Sequence, residues 1–546
     1  MKKFGAAFAS PALNLFIVLS LIFRFWLAAV TPITGDEAYF IWWGWRPDWG
    51  FYDHPPMIGW WLAALLTVSD SEWWLRLPVI LQPVILALSV RWALPKVAPN
   101  IDDGRRDLIA LLILLAPANV WNIAITTDTP LIYFSVFSGL AWLRAAQDDD
   151  MRWYAAAGFF LAGAVLSKYF VAFLGFAFLI DVLRRRTIKS WVGLAIVYAC
   201  CIPALALMAW WNSANCWPNY MFNFVNRHES AGWSATTPLL YVVSVLYLLT
   251  PPVVWLVFRE FRQRRVTSTN WRDSASSSPS TLSRKGREGN SVFAGSSDGS
   301  VVSTNWRIPS LSVLAIVPFV LFAVLSLVKQ IGLHWLLSFV PFALIWLGLW
   351  LAPETLQKLA RFFVGFAVVH VLVIVTIAAL PLEAWKSSRR YDGVVLTFAY
   401  EEVNKNLAPT LADKEKNWVI AMDGYSNAVT LGYNLRRYVM VFGEASSHAR
   451  HDDILTDFRA LKDRNILVLR KTEPDLVYYQ QFFRKVSVDS FIVRGARFWQ
   501  VKGEGFDYAA YREKVLLVVK KKYYSIPPWL PQRGCYFCER YFPDEA

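Results

Sequence analysis

Residues 35–56 read GDEAYFIWWGWRPDWGFYDHPP and follow a long apolar run. The stretch holds an acidic pair, Asp36 and Glu37, then a run of tryptophans, then an acid beside an imidazole, Asp53 and His54. A carboxylate can take a proton from an attacking hydroxyl, and histidine or a cation can meet a phosphate. If a helix starts at Asp36, neighbouring side chains project about 100° apart. The two acids then cannot serve one substrate in the same way: one acts while the other holds a structural partner. The pair also reads as an ordinary acidic helix start, since Asp and Glu suit that end. Pro55 and Pro56 break the chain after His54. Taken alone, His54 reads first as a side chain bonded to a backbone carbonyl.

Other candidates are scattered along the chain. Asp128 sits in TTDTPL (126–131), a turn between apolar runs where Asp also serves as a helix cap. Lys168 in LSKYF (166–170) interrupts apolar sequence. Ionisable groups at membrane depth are functional candidates, the bland alternative being a lysine that snorkels to headgroups. Arg24 and His370, inside apolar runs, raise the same question. His334 lies in KQIGLHW (329–335), and His228 with Glu229 lies in the 212–236 loop.

The elements that must position these groups are membrane spans. The chain has 546 residues, 56% hydrophobic and only 18% charged, with 28 Trp and a mean hydropathy of +0.35. A soluble chain carries about 25% charge. Apolar runs near membrane length predict eleven spans, at about 11–30, 75–94, 107–125, 130–146, 153–167, 169–183, 190–211, 237–258, 309–328, 335–351 and 362–381. The first reads as an uncleaved span rather than a signal peptide. MIGWWLAALLTV (57–68) is too short to cross and predicts an interfacial helix, and the nearby tryptophans suit an interfacial belt.

The net charge of +14 does not point to nucleic acid, because the basic residues fall in alternate short loops. Those loops hold Lys2 and Lys3, Lys96, Arg105 and Arg106, Arg144 and Arg152, Arg184 to Lys189, Arg259 to Arg265, and Lys358 with Arg361. The positive-inside rule makes them cytoplasmic. The N-terminus is then inside. The acidic pair, TTDTP, SKYF, the 212–236 loop, KQIGLHW and everything after 382 are outside. The expected home is the inner membrane of a bacterium. Every candidate group except the two within spans falls on the outer face.

The organisation predicted is a helical transmembrane domain (1–381) followed by an extracytoplasmic α/β domain (382–546). NWVIAMD (417–423), RNILVLR (464–470) and KVLLVVK (514–520) are its expected strands. The stretch 266–307 is Ser-, Gly- and Arg-rich and predicts a disordered cytoplasmic insertion, flanked by STNWR at 268–272 and 303–307. Deleting 273–307 is expected to leave activity intact. Cys535 and Cys538 form a lone C-x-x-C, which reads as a local disulfide or as nothing.

Carboxylates, histidines and a cation at headgroup level suit a donor that is a lipid-linked phosphate. The sequence has no Gly-rich nucleotide loop and no H-E-x-x-H zinc helix. GDEAYF…YDHPPMIGWWL resembles the first outer loop of the GT-C glycosyltransferases of the protein O-mannosyltransferase and lipid A aminoarabinose transferase superfamily. TTDTPLIYF and LSKYF are similar to later motifs of its bacterial branch, the dolichyl-phosphate-mannose-protein mannosyltransferase-like proteins. The resemblance implies a GT-C fold of about eleven spans, a polyprenyl-phosphate sugar donor and inversion at the anomeric carbon. It implies Asp36 as general base with Glu37 beside it, and Lys168, with Arg24, on the donor phosphate. Asp53, His54, Asp128 and His334 would position substrate. No cofactor is implied, and a divalent metal stays open. The acceptor (lipid, glycan or protein) and the sugar are not implied. Two other readings stand beside this one. A flippase for a lipid-linked sugar would place ionisable groups near mid-membrane on repeated elements. A membrane-anchored binding protein would retain its activity in a soluble 390–546 fragment.

Overall fold

The structure, a computed structural model, describes residues 9–226, 232–259, 309–448 and 450–545. His228, Glu229 and the 266–307 insertion lie outside the described residues. Helix α1 (Pro11–Val30) begins at Ser10, whose hydroxyl accepts from the Leu13 N–H, with proline in its first turn. Helices α2 (Gly35–Trp45) and α3 (Met57–Leu66) follow, the latter where the interfacial helix was predicted. Each of the eleven predicted spans has a helical counterpart, from Leu77–Val97 through Asp128–Asp148 and Ile188–Ala214 to Pro353–Ala379.

Not all of them are full-length spans. Among the described residues, five helices are long and apolar enough to cross a membrane, or six if a bent pair counts as one. That pair is Thr236–Leu249 with Pro251–Arg259, bent by 94°, where one straight span was predicted over 237–258. Pro251 and Pro252 have no N–H to continue the ladder, and Thr250 takes a positive φ of 70°. Pro117 likewise divides the predicted span 107–125 into Asp103–Leu114 and Pro117–Trp121. The bundle is a polytopic helical membrane domain. Small residues let its helices approach: a Cβ on Gly158 would lie 2.8 Å from the Val197 Cα of the neighbouring helix.

The candidate groups and the basic loops collect at opposite ends of the bundle. At one end Arg144 donates to the Lys96 carbonyl, Gln147 to the Val97 carbonyl, and Arg105 to the carbonyls of Gly348 and Leu349. The loops predicted to lie outside meet at the other end.

The C-terminal domain carries a five-stranded sheet in the order β2-β1-β3-β5-β4. Strands β1 (Val419–Met422), β2 (Met440–Val441) and β3 (Ile466–Arg470) are parallel, while β4 (Phe483–Val493) and β5 (Ala496–Phe506) form an antiparallel hairpin. Two of the three predicted strands are present. The third, KVLLVVK, is helical instead: Tyr511, Val515 and Val519 are buried at helical spacing, so its apolar run serves a 3.6-residue period. The unpredicted hairpin turns at Arg494 and Gly495, both at positive φ, as a two-residue turn between strands requires. Side chains alternate across the sheet. Ile466 and Val468 pack on one face, and Leu467 and Leu469 pack on the other against the helix Tyr425–Leu435.

Cys535 pairs with Cys216, 319 residues away, which corrects the local C-x-x-C pairing. The bridge fastens the end of the domain to the loop after the helix Ile188–Ala214.

Candidate active site

The acidic pair separates as α2 begins. Thr34 caps the helix: its hydroxyl accepts from the Glu37 N–H, and the Glu37 carboxylate accepts from the Thr34 N–H. That reciprocal cap turns Glu37 inward. Its oxygens take a two-pronged bond from Arg76, Nε to Oε1 at 2.8 Å and Nη2 to Oε2 at 2.7 Å, and a third bond from the Ile125 N–H. Arg76 spends its remaining donors on the carbonyls of Ala28, Thr31 and Pro32. Both side chains are 0% exposed, so Glu37 joins the end of α1 to two other elements and has no face left for a substrate.

Asp36 points the other way, out of the bundle end. Its Oδ1 accepts from the Tyr425 hydroxyl of the C-terminal domain at 3.3 Å. Partial dehydration raises the Asp36 carboxyl above the ordinary aspartate range. The Tyr425 bond opposes this, the Glu37 charge adds to it, and Lys168 is near enough to oppose it in turn.

Lys168 is buried, and its Nζ lies 2.9 Å and 3.0 Å from the two oxygens of Asp128. His334 Nε2 is 3.9 Å from the same carboxylate, with the imidazole half exposed. Three residues from three separate parts of the chain thus form one polar knot. The Asp53–His54 loop stands beside it. Tyr39 donates to Asp53 at 3.1 Å, and His54 Nε2 lies 3.9 Å from the other Asp53 oxygen. The loop backbone is pinned from outside: Asn219 donates to the carbonyls of Phe51 and Tyr52, and Asn223 to that of Asp53. The Met57 N–H bonds the Leu166 carbonyl, which couples this loop to the segment bearing Lys168.

Asp36, Asp53, His54, Asp128, Lys168 and His334 therefore share one end of the bundle. Arg24 does not join them. It is 1% exposed, and its guanidinium donates to the carbonyls of Val79, Ile80, Asn119 and Asn122, so it braces helix ends rather than meeting a phosphate. His370 bonds the Tyr247 hydroxyl and the Phe366 carbonyl.

Several residues at the site carried no sequence signal. Tyr425 reaches Asp36 from 389 positions away, and Arg76 and the two asparagines act through folded geometry alone. His451 packs against Tyr39, Trp43 and Phe51. Burial pushes its imidazole down to about 3, so it is a neutral packing group. The gap between α2 and the C-terminal domain there is only about 20 Å³, too small for a sugar. A larger cavity of about 640 Å³, lined by Ser10, Asp102, Arg105 and Arg361, lies at the opposite, basic end. Among the described residues no group of three or more His, Cys, Asp or Glu side chains gathers to hold a metal ion.

This helical bundle gathers the candidate groups at one end, with an α/β domain set over them, and it is similar in fold to solved polytopic membrane proteins. Residues 53–211 match the family described as dolichyl-phosphate-mannose-protein mannosyltransferase. Over 217 residues the chain is 28% identical to lipid A galacturonosyltransferase RgtD of Rhizobium johnstonii. That stretch is 37% of this chain and 44% of the relative, so less than half of the relative's length is matched. The fold is similar to the crystal structure of ArnT from Cupriavidus metallidurans bound to undecaprenyl phosphate, with a TM-score of 0.59 at 15% identity over 91% of this chain and 98% of that one. The apo form of the same protein gives a TM-score of 0.57, also at 15% identity, over 90% of this chain and 97% of that one. The resemblance expected from GDEAYF…YDHPP is thus met by a family match over residues 53–211 and by a similar overall fold.

Proposed function

We propose that the protein transfers a sugar from a polyprenyl phosphate to a hydroxyl of a lipid acceptor at the outer membrane–water boundary. The observation that carries the reading is the pairing of an outward-facing Asp36 of raised proton affinity with the Lys168–Asp128–His334 knot at the same end of the bundle. The names of the relatives supply the donor and acceptor classes. In the reaction the acceptor oxygen attacks the anomeric carbon as its proton passes to an Asp36 oxygen. The bond from that carbon to the phosphate oxygen breaks, and the lipid phosphate leaves with the bonding pair. Lys168 and His334 meet the charge that grows on it, and Asp128 holds Lys168 in place. A single displacement inverts the anomeric centre. A base needs its ionised form, so activity rises with pH through the Asp36 titration, above the range of an ordinary aspartate.

Two features support an outward-facing site. Arg105, Arg144 and Arg185 sit at the opposite end, and the Cys216–Cys535 bridge suits an oxidising compartment. A flippase is less well supported, since its ionisable groups belong near mid-membrane.

The test is mass spectrometry of envelope lipids from a deletion strain complemented with wild-type or Asp36→Asn protein. Wild type is expected to restore a sugar-sized mass increment on one lipid class, and Asp36→Asn, inserted at equal level, is not. Full restoration by Asp36→Asn would remove the proposed base.

A further inference from the structure

The first turn of the helix Tyr425–Leu435 lies on the first turn of α2. The approach is close enough that a Cβ on Gly35 would collide with the Ser426 hydroxyl oxygen. Tyr425 stacks edge-on against Tyr39 with ring centroids 5.6 Å apart, while its hydroxyl reaches Asp36. The same helix is fastened further along. Tyr433 donates to Glu72 at 3.3 Å, and Arg436 pairs with Asp70 at 3.2 Å. The C-terminal domain is thus held on the bundle at the point where the acid emerges.

We infer that the C-terminal domain completes the active site, with Tyr425 as a positioning residue that orients the Asp36 carboxylate toward the incoming hydroxyl. The inference rests on the reading of Asp36 as the base. One Asp36 oxygen is taken by the phenol, which leaves the other to receive the proton. Burial and the neighbouring Asp36 charge push the Tyr425 hydroxyl well above its ordinary value, so it stays a donor throughout the working pH range. A donor bonded to the ionised acid favours that form, and its removal raises the acid's proton affinity.

The full-length protein, in vesicles made from total lipid of the deletion strain, is assayed by formation of the missing mass increment as pH is varied. Tyr425→Phe is expected to move the acidic limb of the rate profile upward by about one pH unit, with rates about tenfold lower on that limb. Tyr433→Phe removes an equivalent docking bond without touching Asp36, and its profile is expected to match wild type. If Tyr425→Phe fails to fold, 3,5-difluorotyrosine at position 425 keeps the packing, makes the phenol a stronger donor and is expected to move the limb downward. An unmoved limb in both position-425 variants, with Asp36→Asn inactive, overturns the positioning role and leaves the base in place. Equal shifts in Tyr425→Phe and Tyr433→Phe also overturn it, because docking alone would then explain them. An active Asp36→Asn removes the base and this inference together.

Discussion

Asp36 and Glu37 are adjacent in sequence and unlike in environment. Glu37 accepts three kinds of bond with no exposed surface, whereas Asp36 accepts one phenol at the rim. Removing one partner of a buried, hydrogen-bonded ion pair costs about 3–5 kcal/mol, because the other charge is left without compensation. Glu37→Gln should therefore lower the thermal unfolding midpoint of the detergent-purified protein strongly, while Asp36→Asn should leave it near wild type and remove turnover. A stable, inactive Glu37→Gln beside an active Asp36→Asn would exchange the two roles. The sequence made the pair visible and implied that its members must diverge. It did not determine which one turned inward, because that depends on Arg76, 39 residues on, and on Tyr425, in another domain. Arg24 was misread for a related reason. An arginine inside an apolar run looks functional until the broken helix ends that consume its donors are known.

At the scale of elements, the DHPP loop keeps its shape through the segment after Cys216. Asn219 and Asn223 hold three consecutive carbonyls of residues 51–53, and the bridge to Cys535 fixes the start of that segment. Releasing the bridge should let the segment drift and carry Asp53 and His54 with it. Small displacements of positioned groups cost activity steeply, up to about a hundredfold per ångström. Cys216→Ser with Cys535→Ser, or treatment with a reductant, should lower turnover on the order of tenfold. Cys538→Ser should not, and full activity of the double serine variant would detach the loop from the bridge. Neither the partner nor this coupling was legible, since a C-x-x-C spacing suggests a local pair and Cys216 lies 319 residues away. KVLLVVK failed similarly: seven residues rich in valine fit a strand by propensity, but the burial of Tyr511, Val515 and Val519 selected a helix. The apolar segments were legible because apolar length is a property of the local chain, but among the described residues only five or six are long enough to cross, and the bend at Thr250 was not foreseen despite Pro251-Pro252.

At the scale of the whole molecule, one asymmetry organises everything else. Ion pairs and carbonyl bonds made by Arg91, Arg105, Arg144 and Arg185 gather at the end of the bundle remote from Asp36. Asp36, Asp53, Asp128, His54, His334 and Lys168 gather at the end covered by the C-terminal domain. Charge bias sets orientation during insertion, so this partition predicts that the basic end faces the cytoplasm. An oxidised Cys216–Cys535 bridge favours the same outcome, because cytosolic thiols are kept reduced. Two exposed positions separate the alternatives: Ser388, at the start of the C-terminal domain, and Arg152, in the first turn of the helix Met151–Val165 at the basic end. Cysteines placed there one at a time, with Cys200, Cys201 and Cys538 each changed to serine, should differ in intact cells. Ser388→Cys should react with a membrane-impermeant maleimide, and Arg152→Cys should react only after the membrane is opened. The reverse pattern would put the acid on the nucleotide-rich side of the membrane. A lipid-phosphate donor would then lose its rationale, because nucleotide sugars are at hand in that compartment and the bridge could not persist there.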